Sequence, residues 1–133
     1  MTEVAAGIVI SDGCALCFRK GPSKHPYLSG KFEFAGGKLE KGENPEQALV
    51  REFREELDTD ISNAELKHLI SYEYTYPDFS VTLHFIIVKT ENFTCTLREH
   101  TEIVSMPLDR LDELDWADGD KQAVQILTRC QNA

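Results

Sequence analysis

The chain is short of positive charge. Fourteen lysines and arginines stand against 23 aspartates and glutamates, a formal net charge of −9 with a pI near 4.8. A field of that sign opposes loose association with nucleic-acid backbones or anionic lipid surfaces, so neither a nucleic-acid polymer nor a membrane is expected as a partner. Long apolar runs are missing as well: Phe85-Ile86-Ile87-Val88 is far too short to span a bilayer. No basic segment leading into an apolar one opens the chain, which gives secretion no support. Cysteine is sparse, at Cys14, Cys17, Cys95 and Cys130. Cys14 and Cys17 form a lone C-x-x-C without the second pair of a zinc ribbon. They sit in a strand-like stretch where positions three apart face opposite ways, so free buried thiols in a reducing compartment are expected. These absences lead us to expect a soluble protein of the cytoplasm.

What is present is ordinary for a globular chain. With 133 residues, 41% hydrophobic and 28% charged, it can form a single domain over 1–133 with a sizeable core. Residues 4–10 are apolar and β-branched, and the turn signal Ser11-Asp12-Gly13 joins them to 14–19 as a hairpin. A loop with Gly21, Pro22, Pro26 and Gly30 follows, then the alternating Phe32-Glu33-Phe34, which runs into Ala35-Gly36-Gly37. A helix is predicted over 45–57, with Asn44 as N-cap, Pro45 at the first helical position and Gln47 completing a capping box. Strands are expected at 65–76 and 80–90, a loop at 91–101, a strand at 103–106 and a short helical turn at 107–114. Asp118 or Asp120 caps a last helix that reaches 130. The class is α/β (or α+β), with a mixed sheet between helices.

The helix over 45–57 carries an unusual load. At about 100° per residue, Leu49, Val50, Phe53 and Leu57 form the core-facing stripe, with Glu52, Glu55 and Glu56 together on the arc beside it. Like charges at that spacing repel by a few tenths of a kcal/mol per pair. A hard divalent cation removes the conflict, because Mg²⁺ prefers carboxylate oxygens and water. Ala48, one turn earlier, leaves room there for a loop or ligand. Acidic helix faces are also commonly nothing more than solvated surface.

The stretch GGKLEKGENPEQALVREFREELDT tips the balance, because it resembles the Nudix box, G-x5-E-x7-R-E-U-x-E-E-x-G-U, where U is a bulky apolar residue. Gly37, Glu43, Arg51, Glu52, Phe53, Glu55 and Glu56 occupy their places. Six fixed letters, each with a background near ~7%, would coincide in a chain this long on the order of once in 10⁵. The departures lie at the end: Asp58 stands for the last glycine and Thr59 for the final apolar residue, with Ile61 two positions on. A shifted or looser helix end is expected there, with Asp58 tolerating a left-handed conformation better than most residues.

The resemblance implies a Nudix fold and a hydrolase of nucleoside diphosphates linked to another moiety, working with Mg²⁺ or Mn²⁺. Glu52, Glu55 and Glu56 would be metal ligands, with the carbonyl of Gly37. Glu52 is also a candidate base, Arg51 would orient the carboxylates and Glu43 would support them. Beyond the box the chain is similar to the MutT-like nucleoside triphosphate pyrophosphohydrolases. That likeness implies a further metal-side carboxylate or base at Glu99, with Glu102 as fallback. Lys20, Arg19 and Lys38 are candidate phosphate contacts. The segment Trp116-Ala117-Asp118-Gly119-Asp120 resembles the base-holding segment of those enzymes, with Trp116 either a stacking wall or core packing, and Asp118 or Asp120 accepting from the base. Tyr72, Tyr74, Tyr76 and Phe79 can add to that pocket, although alternating aromatics in a strand are normally packing, and His25, His68, His84 and His100 share no spacing that suggests catalysis.

The expected reaction is hydrolysis of a (deoxy)nucleoside triphosphate, carrying oxidised guanine or cytosine, to monophosphate and pyrophosphate. Two alternatives stay open: another nucleoside diphosphate derivative such as ADP-ribose or a dinucleoside polyphosphate, and a non-catalytic nucleotide-binding module supported by Asp58 and Thr59. The expected assembly is a monomer or homodimer.

Overall fold

A computed structural model describes residues 2–131, with side chains through Arg129. In chain order the elements are β1 (Thr2–Ser11), β2 (Cys14–Lys20), β3 (Phe32–Glu33), β4 (Ala35–Lys38), α1 (Pro45–Leu57), β5 (Glu65–Thr75), β6 (Ser80–Lys89), β7 (His100–Pro107) and α2 (Lys121–Gln131). Short 3₁₀ turns at Leu108–Glu113 and Asp118–Asp120 precede α2. The strands form one mixed sheet, ordered β3-β2-β1-β6-β5, with β4 on β1 and β7 on β2. β1 and β6 are parallel over Thr2 to Ile10, and the other pairs are antiparallel.

The expected hairpin forms only at its tip. Asp12 and Gly13, with φ of 53° and 75°, supply the two positive dihedrals that a tight hairpin turn needs. Yet β1 and β2 pair only at Ile10–Ala15 and Ser11–Cys14. Beyond that they part, and the segment from Phe32 to Lys38 enters the gap. It pairs first with β2, Phe18 opposite Glu33, and then with β1, Ala5 opposite Gly37. β7 is longer than its apolar centre suggested, because β2 offers it partners from Cys14 to Lys20 and the ladder carries the polar residues 100–102 along.

Each face of the sheet has its own core. Under α1 lie Ala5, Val9, Phe18, Ala35, Leu49, Phe53, Leu57, Ile61, Ile86 and Val88. Gly7 lets the helix close on β1, since a Cβ there would stand 2.7 Å from the Phe53 ring. Ala48 belongs to the buried stripe and Val50 is only half-buried, so the room expected beside Ala48 is filled by core. On the other face α2 and the 3₁₀ turns pack Val124, Leu127, Leu111 and Trp116 against Ile8, Phe34 and Phe85.

Helix α1 begins as its sequence specified. The Gln47 N–H donates to Asn44 Oδ1 at 2.8 Å, and the Asn44 N–H to Gln47 Oε1 at 3.0 Å. It ends at Leu57 with Asp58 left-handed, φ 53° and ψ 41°. The looser end expected there is not found: the N–H groups of Asp58 and Thr59 both close on the Phe53 carbonyl. Ile61, 2% exposed, fills the apolar place two positions late. Cys17 is buried and its thiol is pushed up to about 12 by desolvation, while Cys14 and Cys95 are half-buried. Cys130 lies outside the described side chains. No helix among the described residues is long and apolar enough to cross a membrane.

Candidate active site

Where β1 and β2 part, a cleft of about 770 Å³ opens. Helix α1 supplies Glu52 and Glu56 to its wall, β4 supplies Gly36, Gly37 and Lys38, and the loop after β6 supplies Glu99. Gly37 packs directly against Glu52: a Cβ there would stand 2.4 Å from the Glu52 carboxyl carbon. Glu56 is crowded. Burial, and then the charges of Glu99 and Glu52, raise its carboxyl well above the usual range.

Arg51 binds the acidic residues of the box together. Its guanidinium donates to both oxygens of Glu43 at 2.8 and 2.9 Å, to Glu52 at 2.9 Å, to Glu55 at 3.2 Å and to the Lys38 carbonyl at 2.8 Å. The same contacts hold Glu43 below its ordinary pKa. Glu55 faces Arg51, 59% exposed, and does not line the cleft. Among the described residues no three His, Cys, Asp or Glu side chains converge closely enough, as they stand, to hold a metal ion. The chemistry of the donors nevertheless fits a hard dication. Glu52, Glu56 and Glu99 are oxygen donors of like charge around one cleft, and Glu56 gains most from a cation beside it.

Lys20 and Lys38 line the cleft as the sequence suggested, and Lys24 joins them. Arg19 does not: it donates to the Gly30 carbonyl at 3.0 Å and pairs with Glu102 at 3.4 Å, which occupies both residues elsewhere. Trp116 corrects the stacking reading. It is 3% exposed, its indole N–H donates to the Leu111 carbonyl at 2.7 Å, and its ring packs on Phe34 at 4.7 Å, so it is core. Asp118 is exposed and pairs with Lys121 at 2.7 Å. Asp120 is buried and accepts the Phe34 N–H at 3.0 Å; burial first, then the charge of Glu33, pushes its pKa up to about 8.

Several cleft residues escaped the sequence reading. Glu33 lines it, held by the buried His100 through Nε2 at 2.8 Å, while His100 Nδ1 is buried without a partner. The alternation Phe32-Glu33-Phe34 was the available signal: with both phenylalanines in the core, Glu33 faces the other way, just before the double glycine. On the far wall the His25 and Phe79 rings lie tilted against each other with centroids 4.9 Å apart, and His25 pairs with Asp78 at 3.1 Å. These loops meet only in three dimensions and share no spacing.

The box geometry and the comparison with known proteins agree. Over 86 residues the chain is 36% identical to an 8-oxo-dGTP diphosphatase of Proteus vulgaris, covering 65% of this chain and 74% of that protein. Over 104 residues it is 36% identical to a CTP pyrophosphohydrolase of Escherichia coli, covering 78% of this chain and 74% of that one. The solution structure of the E. coli ORF135 protein superposes with a TM-score of 0.82 at 30% identity, covering 98% of this chain and 91% of that one. The NUDIX domain family model matches residues 1–127, and on that match, with the box intact from Gly37 through Glu56, the chain belongs to the Nudix hydrolase family.

Proposed function

We propose that this chain, as one Nudix domain, hydrolyses a (deoxy)nucleoside triphosphate to the monophosphate and pyrophosphate with Mg²⁺ as cofactor. One observation carries the reading: Glu52, Glu56 and Glu99 crowd one cleft beside Gly37, with Lys20, Lys24 and Lys38 on its wall. Nudix hydrolases generally use a divalent metal. Here Glu52, Glu56, Glu99 and the Gly37 carbonyl would hold it, with Glu55 able to join on leaving Arg51. When bound, the ion neutralises phosphate charge and activates water for in-line attack at phosphorus.

The chain's own groups do the rest. The lysines hold phosphate oxygens by charge-assisted hydrogen bonds. Arg51 fixes Glu52, the candidate base, by its 2.9 Å contact. Gly37, having no Cβ, leaves Glu52 its place. The base would lie toward Glu33, with the His25–Phe79 pair as its aromatic wall in place of Trp116. The Glu33 carboxylate accepts hydrogen bonds, which favours a base edge rich in N–H donors, as in guanine and cytosine. The named relatives act on an oxidised guanine nucleotide and on CTP, which supports those two bases. Such substrates belong to the cytoplasmic nucleotide pool.

The test is incubation with a panel of nucleotides, 8-oxo-dGTP and CTP among them, with Mg²⁺ and separation of products. Monophosphate and pyrophosphate in equal amounts are expected. Release of inorganic phosphate without pyrophosphate would contradict the reaction.

A further inference from the structure

The two positions at which the chain departs from the Nudix box lie at the end of α1, and both face the loop that delivers Glu99. The Thr59 hydroxyl donates to the Thr94 carbonyl at 2.6 Å, with the Leu57 carbonyl 3.1 Å away. The Thr96 N–H donates to that same Leu57 carbonyl at 2.8 Å. Arg98 donates to the Glu55 carbonyl at 3.3 Å and stands 3.7 Å from the Asp58 carboxylate. Beneath these links Phe93, Cys95 and Leu97 alternate into the apolar core under α1, with the Phe93 ring 6.2 Å from that of Phe53.

Glycine at 58 and an apolar residue at 59 would provide neither the carboxylate nor the hydroxyl. Asp58 accepts the left-handed conformation that glycine would take more cheaply, and keeps a charge for Arg98. Thr59 exposes a hydroxyl where the box asks for packing, and Ile61 does the packing instead. The loop residues so tied are 94, 96 and 98, and Glu99 is the next residue along, facing Glu56 across the cleft.

We infer that Thr59 and Asp58 are positioning residues, which dock the 91–99 loop on the end of α1 and thereby set Glu99 opposite Glu56. The inference rests on the reading of Glu99 as a metal ligand given under Proposed function. It makes the departures from the box a local device for placing a ligand that the box does not contain. A role confined to helix stability would lower the melting temperature without changing how the cleft holds a cation.

The experiment is calorimetric titration of the full chain with Mn²⁺, alongside thermal melting, for the wild type, Thr59→Val, Thr59→Ser, Glu99→Gln and the Thr59→Val/Glu99→Gln pair. Loss of one hydrogen bond predicts that Thr59→Val weakens Mn²⁺ binding about five-fold. Thr59→Ser restores it, and the double variant binds no more weakly than Glu99→Gln alone, since both act through one carboxylate. Unchanged Mn²⁺ affinity in Thr59→Val, or losses that multiply in the double variant, would overturn the inference while leaving the Glu99 assignment standing. Unchanged affinity in Glu99→Gln would remove that assignment and the inference with it. Should Thr59→Val fail to fold, Arg98→Met severs the loop's side-chain ties to Glu55 and Asp58 and is judged by the same comparison.

Discussion

Arg51 shows how a single side chain makes an acidic cluster tenable. Its five donors span Glu43, Glu52, Glu55 and the Lys38 carbonyl, a set that a lysine's ammonium could not match in geometry. Replacing it by alanine leaves Glu52 without its anchor, and groups that orient metal ligands typically cost about 10–100-fold in activity when lost. Arg51→Ala is expected to lower kcat in that range, and Arg51→Lys to recover only a small part, as steady-state pyrophosphate release would record. Asp120 makes a separate prediction about pH. Its pKa is about 8 in the folded chain, against an ordinary 3.8, because burial and Glu33 disfavour its charge. The folded form therefore keeps its proton where the unfolded form loses it. The stability this residue contributes is whole below 3.8 and falls away as pH climbs toward 8. Asp120→Asn keeps an oxygen for the Phe34 N–H and removes the ionisation. In urea unfolding it should match the wild type at pH 4 and exceed it at pH 8 by more than about 1 kcal/mol; equal stabilities at both pH values would contradict the assignment.

At the scale of elements, β4 carries two glycines that do different work, Gly36 against β1 and Gly37 against α1. A Cβ on Gly36 would stand 1.9 Å from the Ala5 carbonyl oxygen, so it would collide with backbone that is fixed in the β1–β4 ladder. A Cβ on Gly37 would meet the end of the Glu52 side chain, which can swing aside. Gly36→Ala is therefore expected to destabilise the fold by several degrees or more in thermal melting. Gly37→Ala should melt near the wild type yet lose most of its hydrolytic activity, because Glu52 is displaced. If Gly37→Ala retained full activity, the placement of Glu52 at the cation would be wrong. The start of α1 was legible in the sequence, since capping by Asn44 with Gln47 depends on residues within one turn; at its end Asp58's left-handed place was legible, but not the tight closure on the Phe53 carbonyl. The buried stripe was legible less well, with Ala48 taking the core position expected of Val50, because the sheet's position decides which arc of a helix is covered.

For the whole molecule, the cleft exists because two neighbouring strands part and the Phe32–Lys38 segment wedges between them. That arrangement places the box glycines on one arm of the fork and Glu33 on the other, with α1 on one face and the Asp118–Asp120 turn on the other. None of it could be read from local pattern. The long parallel pairing of β1 with β6 and the union of β2 with β7 join residues far apart in the chain, and hydrophobic periodicity does not report partners. For the same reason Trp116 passed for a candidate wall, whereas the packing of Phe34 and the Leu111 carbonyl claim both its ring and its N–H. Glu52 and Glu56, the carboxylates proposed to face the metal, were legible because one helix carries them, whereas Glu55 on the same helix turns to Arg51. Glu99, expected from the resemblance, reaches the cleft on a loop tied to the helix end, whereas Glu33 and His25 needed the fold to be seen there. A chain of net charge −9 that is to hold a polyphosphate requires a cation between like charges, and this is the central claim. Its most direct test is calorimetric titration of Mg²⁺ into the protein, with and without a nucleoside monophosphate, for the wild type, Glu52→Gln and Glu56→Gln. Saturable Mg²⁺ uptake by the wild type that falls at least about ten-fold in both variants is predicted; no uptake by the wild type, or equal uptake by all three, would contradict the account.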